Sequence, residues 1–397
     1  MSYYEQLLAA ESSPRELHAR VIECFAAWLR ISSDVSCETL VAHPFVGVAF
    51  GGMQASSPIF DACVDLVCEL LYTAQDAERF AALAQVVIPR VMALRPFYAA
   101  VLADGESSEN EARGFCRVFV ELAETQMDFL ASGTADSLQV AEVILVCTRH
   151  PNAEISKLTF NVWYNLKTRL TVAGADEAKR QYAPFFVQLV DALILLLHYP
   201  DTYDEETPDR QDDFKKFRKT VQDVVGDAVE IIGASASLER FAMSLQQEHA
   251  KLAQDPSQWQ GVEAVLNGVR SVANRVRLPC ALARRCLPQA ELTTRPPTQI
   301  DPSERDVLPQ ILQLIPTLPA HRPLQYTATL TIGACADWLN GVPELLPALF
   351  PYLVNCLALP GVTDAAALSV KNGSPRRCLP AAGLLCRWRC RAPAAAV

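Results

Sequence analysis

Glycine is scarce in this chain, at 16 of 397 residues. Sheet sandwiches need glycine at many turns, and no stretch alternates apolar and polar residues with a convincing period of two, which speaks against a β fold. The 13 cysteines contain no C-x-x-C pair, so the usual spacing of zinc and dithiol sites is missing. There is no phosphate-cradling glycine loop, no G-x-S-x-G and no H-E-x-x-H, and the six histidines (His18, His43, His150, His198, His249 and His321) are scattered. Without a constellation of nucleophile, base and acid, the chain is not expected to be an enzyme or to carry a cofactor. Positive charge is also lacking: the net charge is −10, which argues against a broad footprint for nucleic acid. The most apolar run, PFFVQLVDALILLLHYP over 184–200, is too short to cross a bilayer and contains Gln188 and Asp191. It reads as a buried helix, and no membrane partner is expected. The start, MSYYEQLLAAESS, has neither a basic region nor an apolar core, so no secretory signal is legible.

What is present is apolar and helical. Half of the residues are hydrophobic and a fifth are charged, which excludes disorder over most of the chain. After Ser12, Ser13 and Pro14, the residues Leu17, Val21, Cys24, Phe25, Trp28 and Leu29 recur at steps of three and four. A second stretch covers 37–53. Ser57-Pro58 then opens a third, with Ile59, Cys63, Leu66, Val67 and Leu70 on its stripe. Further helices are expected over 78–94, 108–130, 135–148, 152–172, 177–198, 212–233, 237–254, 257–275, 303–315, 321–340 and 343–358. Helix pairs repeating in this way are the signature of a HEAT or armadillo array. One pair cannot bury both faces, so stacked pairs share a continuous core. The expected fold is an all-α HEAT-repeat α-α superhelix, a solenoid of about six or seven pairs.

Two segments break the pattern. Residues 277–300 hold Pro279, Pro288, Pro296 and Pro297, with Arg277, Arg284, Arg285 and Arg295 against the single acid Glu291. Residues 371–397 hold Lys371, Arg376, Arg377, Arg387, Arg389 and Arg391 with no acid. Four segments follow: HEAT repeats over 1–276, an irregular insertion over 277–300, HEAT repeats over 301–370 and a basic non-repeat tail over 371–397. Neither break can bury a continuous apolar face, so both are expected to be disordered and foreign to the fold, as translated intron or a misassigned junction would be. A lineage-specific insert is the alternative for 277–300, whose deletion should leave thermal stability unchanged or raised. Cys378, Cys386 and Cys390 match no familiar zinc spacing. Cys24, Cys63, Cys68, Cys116, Cys147, Cys335 and Cys356 read as small buried hydrophobes of a reducing compartment.

The most distinctive charged element is PDTYDEETPDRQDDF, with Asp204, Glu205, Glu206, Asp209, Asp212 and Asp213 close together and Lys215, Lys216, Arg218 and Lys219 following at once. It suits a solvated connector whose last acids favour a helix N-terminus near Asp212, or a docking surface for a basic partner. His150-Pro151 reads as a cap or turn. In ISKLTFNVWYNL (155–166), Phe160, Trp163 and Tyr164 suit interhelical core, although slots between neighbouring helices can also take short aromatic motifs. Trp28, Phe119, Phe160 and Trp163 are expected to be buried.

Several ordered segments carry a resemblance. CRVFVELAET (116–125), ISKLTFNVWYNL (155–166), DDFKKFRKTVQDVV (212–225) with EIIG (230–233), VEAVLNGVRSVA (262–273), DVLPQILQLIPTLP (306–319) and ADWLN (336–340) resemble the middle of importin-β nuclear transport receptors of the transportin-SR and importin-thirteen branch. The resemblance covers about 14–276 and 301–370. It implies a right-handed HEAT superhelix without catalytic activity that shuttles between nucleus and cytoplasm. It also implies cargo such as arginine/serine-rich or RNA-binding proteins, contact with phenylalanine-glycine nucleoporins, and control by Ran-GTP. Asp204, Glu205, Glu206, Asp209, Asp212 and Asp213 would then contribute a secondary contact to a basic surface of Ran-GTP or cargo. Members of that family are more than twice this length, so the chain is expected to be an incomplete receptor lacking the first and last repeats. A generic HEAT scaffold, such as a phosphatase scaffold or a coat adaptor, would share the architecture without binding Ran.

Overall fold

The structure is a computed structural model describing residues 15–32, 35–53, 57–104, 109–275 and 306–373. Every regular element among them is helical, and no strand occurs. The helices form two compact units divided within one helix, after Phe185.

The first unit comprises α1 (Arg15–Ile31), α2 (Cys37–Val41), α3 (Pro44–Gly52), α4 (Phe60–Ala74), α5 (Ala77–Met92), α6 (Arg95–Asp104), α7 (Glu109–Thr125), α8 (Met127–Leu130), α9 (Ala135–Thr148), α10 (Ala153–Ser156), α11 (Phe160–Leu170) and the start of α12 (Asp176–Leu196). α1 packs on α4, α4 on α7, and α7 on α9 and α11. α4 fits this place because Cys63, Leu66, Val67 and Leu70 repeat at helical spacing and are wholly buried. Caps set the starts: Ser36, Asp76, Thr134 and Asn152 accept backbone N–H bonds from Thr39, Arg79, Ser137 and Glu154. Asn152 N–H donates in turn to His150 Nδ1 at 3.1 Å, so His150 does serve the turn.

The second unit holds the rest of α12 and then α13 (Pro208–Ile232), α14 (Ala234–Gln254), α15 (Gln260–Arg275), α16 (Val307–Leu314), α17 (Arg322–Ala334), α18 (Ala336–Leu339), α19 (Leu346–Leu357) and α20 (Thr363–Gly373). Two rows emerge. In one, α13 packs on α15, α15 on α17 and α17 on α20; in the other, α14 packs on α16 and α16 on α19. Between the rows, α13 and α15 pack on α14, and α17 and α20 on α19, the stacked-pair arrangement of a repeat array. Gly233, at φ +85°, turns the chain between α13 and α14 in a conformation that side chains oppose. Polar stitches join the first row: Thr331 Oγ1 donates to the Leu266 carbonyl at 3.1 Å and Ser369 Oγ to the Thr329 carbonyl at 2.7 Å.

Most helices lie where the periodicity places them, with instructive departures. The stretch 37–53 is two helices because Pro44 lacks an N–H and begins a new one, with His43 Nδ1 accepting from Phe45 N–H. α13 starts at Pro208 rather than Asp212, proline being favoured in a first turn. α6 has no counterpart in the sequence reading, and α20 continues to Gly373, past the boundary drawn at 370. Phe119, Phe160 and Trp163 are buried as expected. Trp28 is not: it is 47% exposed, because α1 buries Ile22, Ala26 and Leu29 and leaves Leu17, Cys24 and Trp28 outside. Of the other six helical cysteines, Cys68 is half-buried and five are buried; burial pushes the Cys63 and Cys335 thiols up to about 12. The stretch Ala77–Asp104 is long and apolar enough to cross a membrane by length and composition. It is, however, two helices, α5 and α6, with Arg90 and Arg95 flanking the break, and charges at that depth are costly in a bilayer. The expected insertion 277–300 and the tail from 374 onwards lie outside the described residues.

Candidate functional site

The second unit contains a cleft of about 820 Å³. α13 supplies Lys215, Arg218 and Gln222, α15 supplies Asn267 and Arg270, and α17 supplies Arg322, Tyr326 and Thr327. The segment between α12 and α13 adds Tyr199, Tyr203 and Asp204, and Gly361 closes one side. These side chains share a wall because α13, α15 and α17 stack in one row and present the same helical face at each step.

Arg218 is the buried anchor. Its guanidinium donates to Glu263 Oε2 and lies 4.3 Å from the centroid of the Tyr199 ring. Glu263 is fully buried and also accepts from Thr327 Oγ1. Burial pushes the Glu263 carboxyl above its ordinary value, while Arg218 and the Thr327 hydroxyl pull the other way. Gln222 Nε2 donates to Asn267 Oδ1 across the same helix pair. Around the anchor runs an aromatic cluster: Tyr199 meets Tyr203 at 4.7 Å and Trp259 at 5.4 Å, and Trp259 stacks on His321 at 4.0 Å. Burial raises the Tyr199 phenol to about 12 and lowers the His321 imidazole, the latter opposed by Asp204.

The six acids singled out in the sequence lie on the turn before α13 and on its first turns, and they do not form one bare anionic face. Asp204 and Glu205 sit in a 3-10 turn, Tyr203–Glu205, with Glu206 as its C-cap; Asp209, Asp212 and Asp213 lie on α13. Three of them carry a counter-ion one helical turn away: Glu206 with Arg210 at 3.3 Å, Asp212 with Lys215 at 2.8 Å and Asp213 with Lys216 at 2.9 Å. The hydrogen bond from Lys215 holds the Asp212 carboxyl below its ordinary value. Exposed pairs of this kind contribute little to stability, because solvent screens them. Only Asp204 of the six lines the cleft.

A second cleft, of about 570 Å³, lies in the first unit and is mostly apolar. Phe25 is its hinge, stacking on His43 at 4.5 Å and on Trp28 at 5.8 Å and meeting Phe45 edge-on at 4.9 Å. Among the described residues no group of three or more His, Cys, Asp or Glu could hold a metal ion.

The sequence signals missed both clefts. The cationic one draws on segments around 199–222, 267–270, 321–327 and 361, and no local spacing joins them. The apolar one depends on Phe25 of α1 meeting His43 and Phe45 of the following segment.

Residues 107–195 match the family described as the transportin-3/importin-13 second TPR domain, and residues 305–378 match the third. The chain is 26% identical to transportin MOS14 of Arabidopsis thaliana over 383 residues, 91% of this chain and 37% of that protein. It is 26% identical to human importin-13 over 388 residues, covering 93% of this chain and 36% of that protein. It is 23% identical to the mRNA transport regulator MTR10 of Saccharomyces cerevisiae, over 85% of this chain and 32% of that one. The chain therefore spans about a third of the length of these relatives. Among solved structures, importin13 in its cytosolic state superimposes with a TM-score of 0.77 at 17% identity, covering 94% of this chain and 43% of that one. A Kap121p mutant does so with 0.61 at 13% identity, covering 94% and 33%. These likenesses show the fold, an α-α repeat solenoid.

Proposed function

We propose that this chain, which belongs to the importin-β family, is part of a nuclear import receptor. It carries arginine/serine-rich or other RNA-binding proteins through the nuclear pore under Ran-GTP control, and it shuttles between nucleus and cytoplasm. The observation that carries the reading is the colinear match: two successive domains of one receptor branch align in order on a chain with that receptor's fold. No catalytic step is needed, since a stacked-helix surface binds and releases proteins by contact alone.

Three surfaces support the reading. The acids Asp204, Glu205, Glu206, Asp209, Asp212 and Asp213 offer a secondary contact to a basic surface of Ran-GTP or cargo, acting mainly on association rate because all but the half-buried Glu206 are exposed. The Phe25, Trp28 and His43 cleft is apolar, ring-lined and open, which suits a phenylalanine side chain of a nucleoporin repeat. The row of α13, α15, α17 and α20 gives a long protein-sized surface for cargo.

The test uses the immobilised chain. An arginine/serine-rich cargo should bind it and be displaced by Ran carrying a non-hydrolysable GTP analogue but not by Ran-GDP. Replacing the six acids with Asn and Gln should slow Ran-GTP or cargo association at low salt. Cargo retention indifferent to the Ran nucleotide would overturn Ran control, and unchanged association rates would leave the acids as a solvated connector.

A further inference from the structure

We propose that the cationic cleft of the second unit binds the carboxylate side chains of a short acidic peptide segment from a partner protein. Its lining carries Lys215, Arg218, Arg270 and Arg322 against the single carboxylate of Asp204. Lys215 is paired with Asp212, and Arg218 is already neutralised by buried Glu263. Arg322 differs from it. It is exposed and makes no ion pair or hydrogen bond with any described residue. Its guanidinium lies against Gly361, in the space where a side chain on that residue would stand, and Gly361 has φ +81°. A guanidinium seated against bare backbone at the mouth of a cleft, with no anion of its own, is a preformed fork for a carboxylate.

The rim selects among anions. Asp204 stands in the lining, Asp212 is paired with Lys215 of that lining, and the chain as a whole is at −10. A nucleic acid, with one charge per ~1.7 Å of duplex axis, drives phosphates into those carboxylates. An extended peptide advances about 3.3 Å per residue and alternates its side chains, so its carboxylates reach the cations while neutral backbone passes the rim. The volume of about 820 Å³ suits a few residues. Tyr326, 43% exposed beside Arg322, supplies an apolar wall.

The test measures fluorescence anisotropy of a labelled hexaglutamate peptide with the full chain, beside a phosphoserine peptide of equal length and an oligouridylate. Hexaglutamate should bind and weaken as salt rises. Arg322→Glu should weaken it by about tenfold or more, and Arg322→Lys by less. Arg20→Glu, an exposed charge reversal in the first unit, should leave it unchanged. Gly361→Ala, which evicts the guanidinium without touching its charge, should weaken it in the same direction, and thermal unfolding of each variant checks folding. Absence of hexaglutamate binding, or equal losses with Arg20→Glu and Arg322→Glu, would overturn the proposal. So would Arg322-dependent binding of the phosphoserine peptide alone, or of oligouridylate in preference to hexaglutamate.

Discussion

Arg218 and Glu263 form an ion pair in which the two side chains are only 7% and 0% exposed. Removing one partner strands a buried charge, which costs more than the pair itself contributes. Arg218→Leu should therefore destabilise the second unit by about 3–5 kcal/mol. Arg218→Leu combined with Glu263→Leu should recover much of that loss. Urea unfolding of the two variants gives the comparison; a double variant no better than the single one would show that the charges are not the cause.

Trp163 is wholly buried, and its Nε1 donates to Thr148 Oγ1 at 2.9 Å. Trp163→Ala should cost about 3–5 kcal/mol through the cavity it leaves. Trp163→Phe keeps most of the volume but removes the indole N–H. Thr148 still shares a hydrogen bond with Thr159, so the expected cost is nearer ~1–2 kcal/mol. Denaturant midpoints for the pair separate the packing contribution from the polar one.

Gly268 lies mid-helix in α15, where alanine would ordinarily favour the helix by about 1 kcal/mol. A methyl group there would stand 2.2 Å from Cε1 of Phe241, a ring with no exposure. Overpacking of about 1–3 kcal/mol should win, and Gly268→Ala should lower the melting temperature. A rise would mean that the Phe241 ring yields.

Burial lowers the imidazoles of His150, His198 and His321 from their ordinary value of 6.5. The folded chain keeps them neutral where the unfolded chain takes up protons. Their contribution is therefore complete above about pH 6.5 and is lost as pH falls below it towards the folded values. Thermal melts at pH 7.5 and 6.0 should show lower stability at the acidic end, and His198→Gln should flatten the difference. An unchanged slope in His198→Gln would remove that residue from the account.

Where residues act through neighbours in sequence, the fold was legible in advance. The stripe Cys63, Leu66, Val67 and Leu70, the cap at His150 and the burial of Phe119, Phe160 and Trp163 all follow from helical spacing. Trp28 was misplaced because α1 offers two adjacent stripes, and only packing decides that Ile22, Ala26 and Leu29 face the core. The acidic segment was visible, as were the lysines that follow it, yet their pairing as Asp212–Lys215 and Asp213–Lys216 depended on α13 beginning at Pro208. The cleft was invisible because Arg218, Arg270 and Arg322 meet only after three helices have stacked.

The stitches between α15, α17 and α20 bear on how the second unit responds to load. Sliding one apolar face over another by an ångström sacrifices little, because dispersion contacts are many and individually weak. A hydrogen bond such as Ser369 to the Thr329 carbonyl, at 2.7 Å, or Thr331 to the Leu266 carbonyl, at 3.1 Å, is lost over the same distance, and each buried group left behind costs about 1–3 kcal/mol. Shear along this row is therefore discontinuous. Neighbouring helices hold a single register until the clasps between them part, and under tension the row yields in jumps, joint by joint, instead of stretching like a uniform spring.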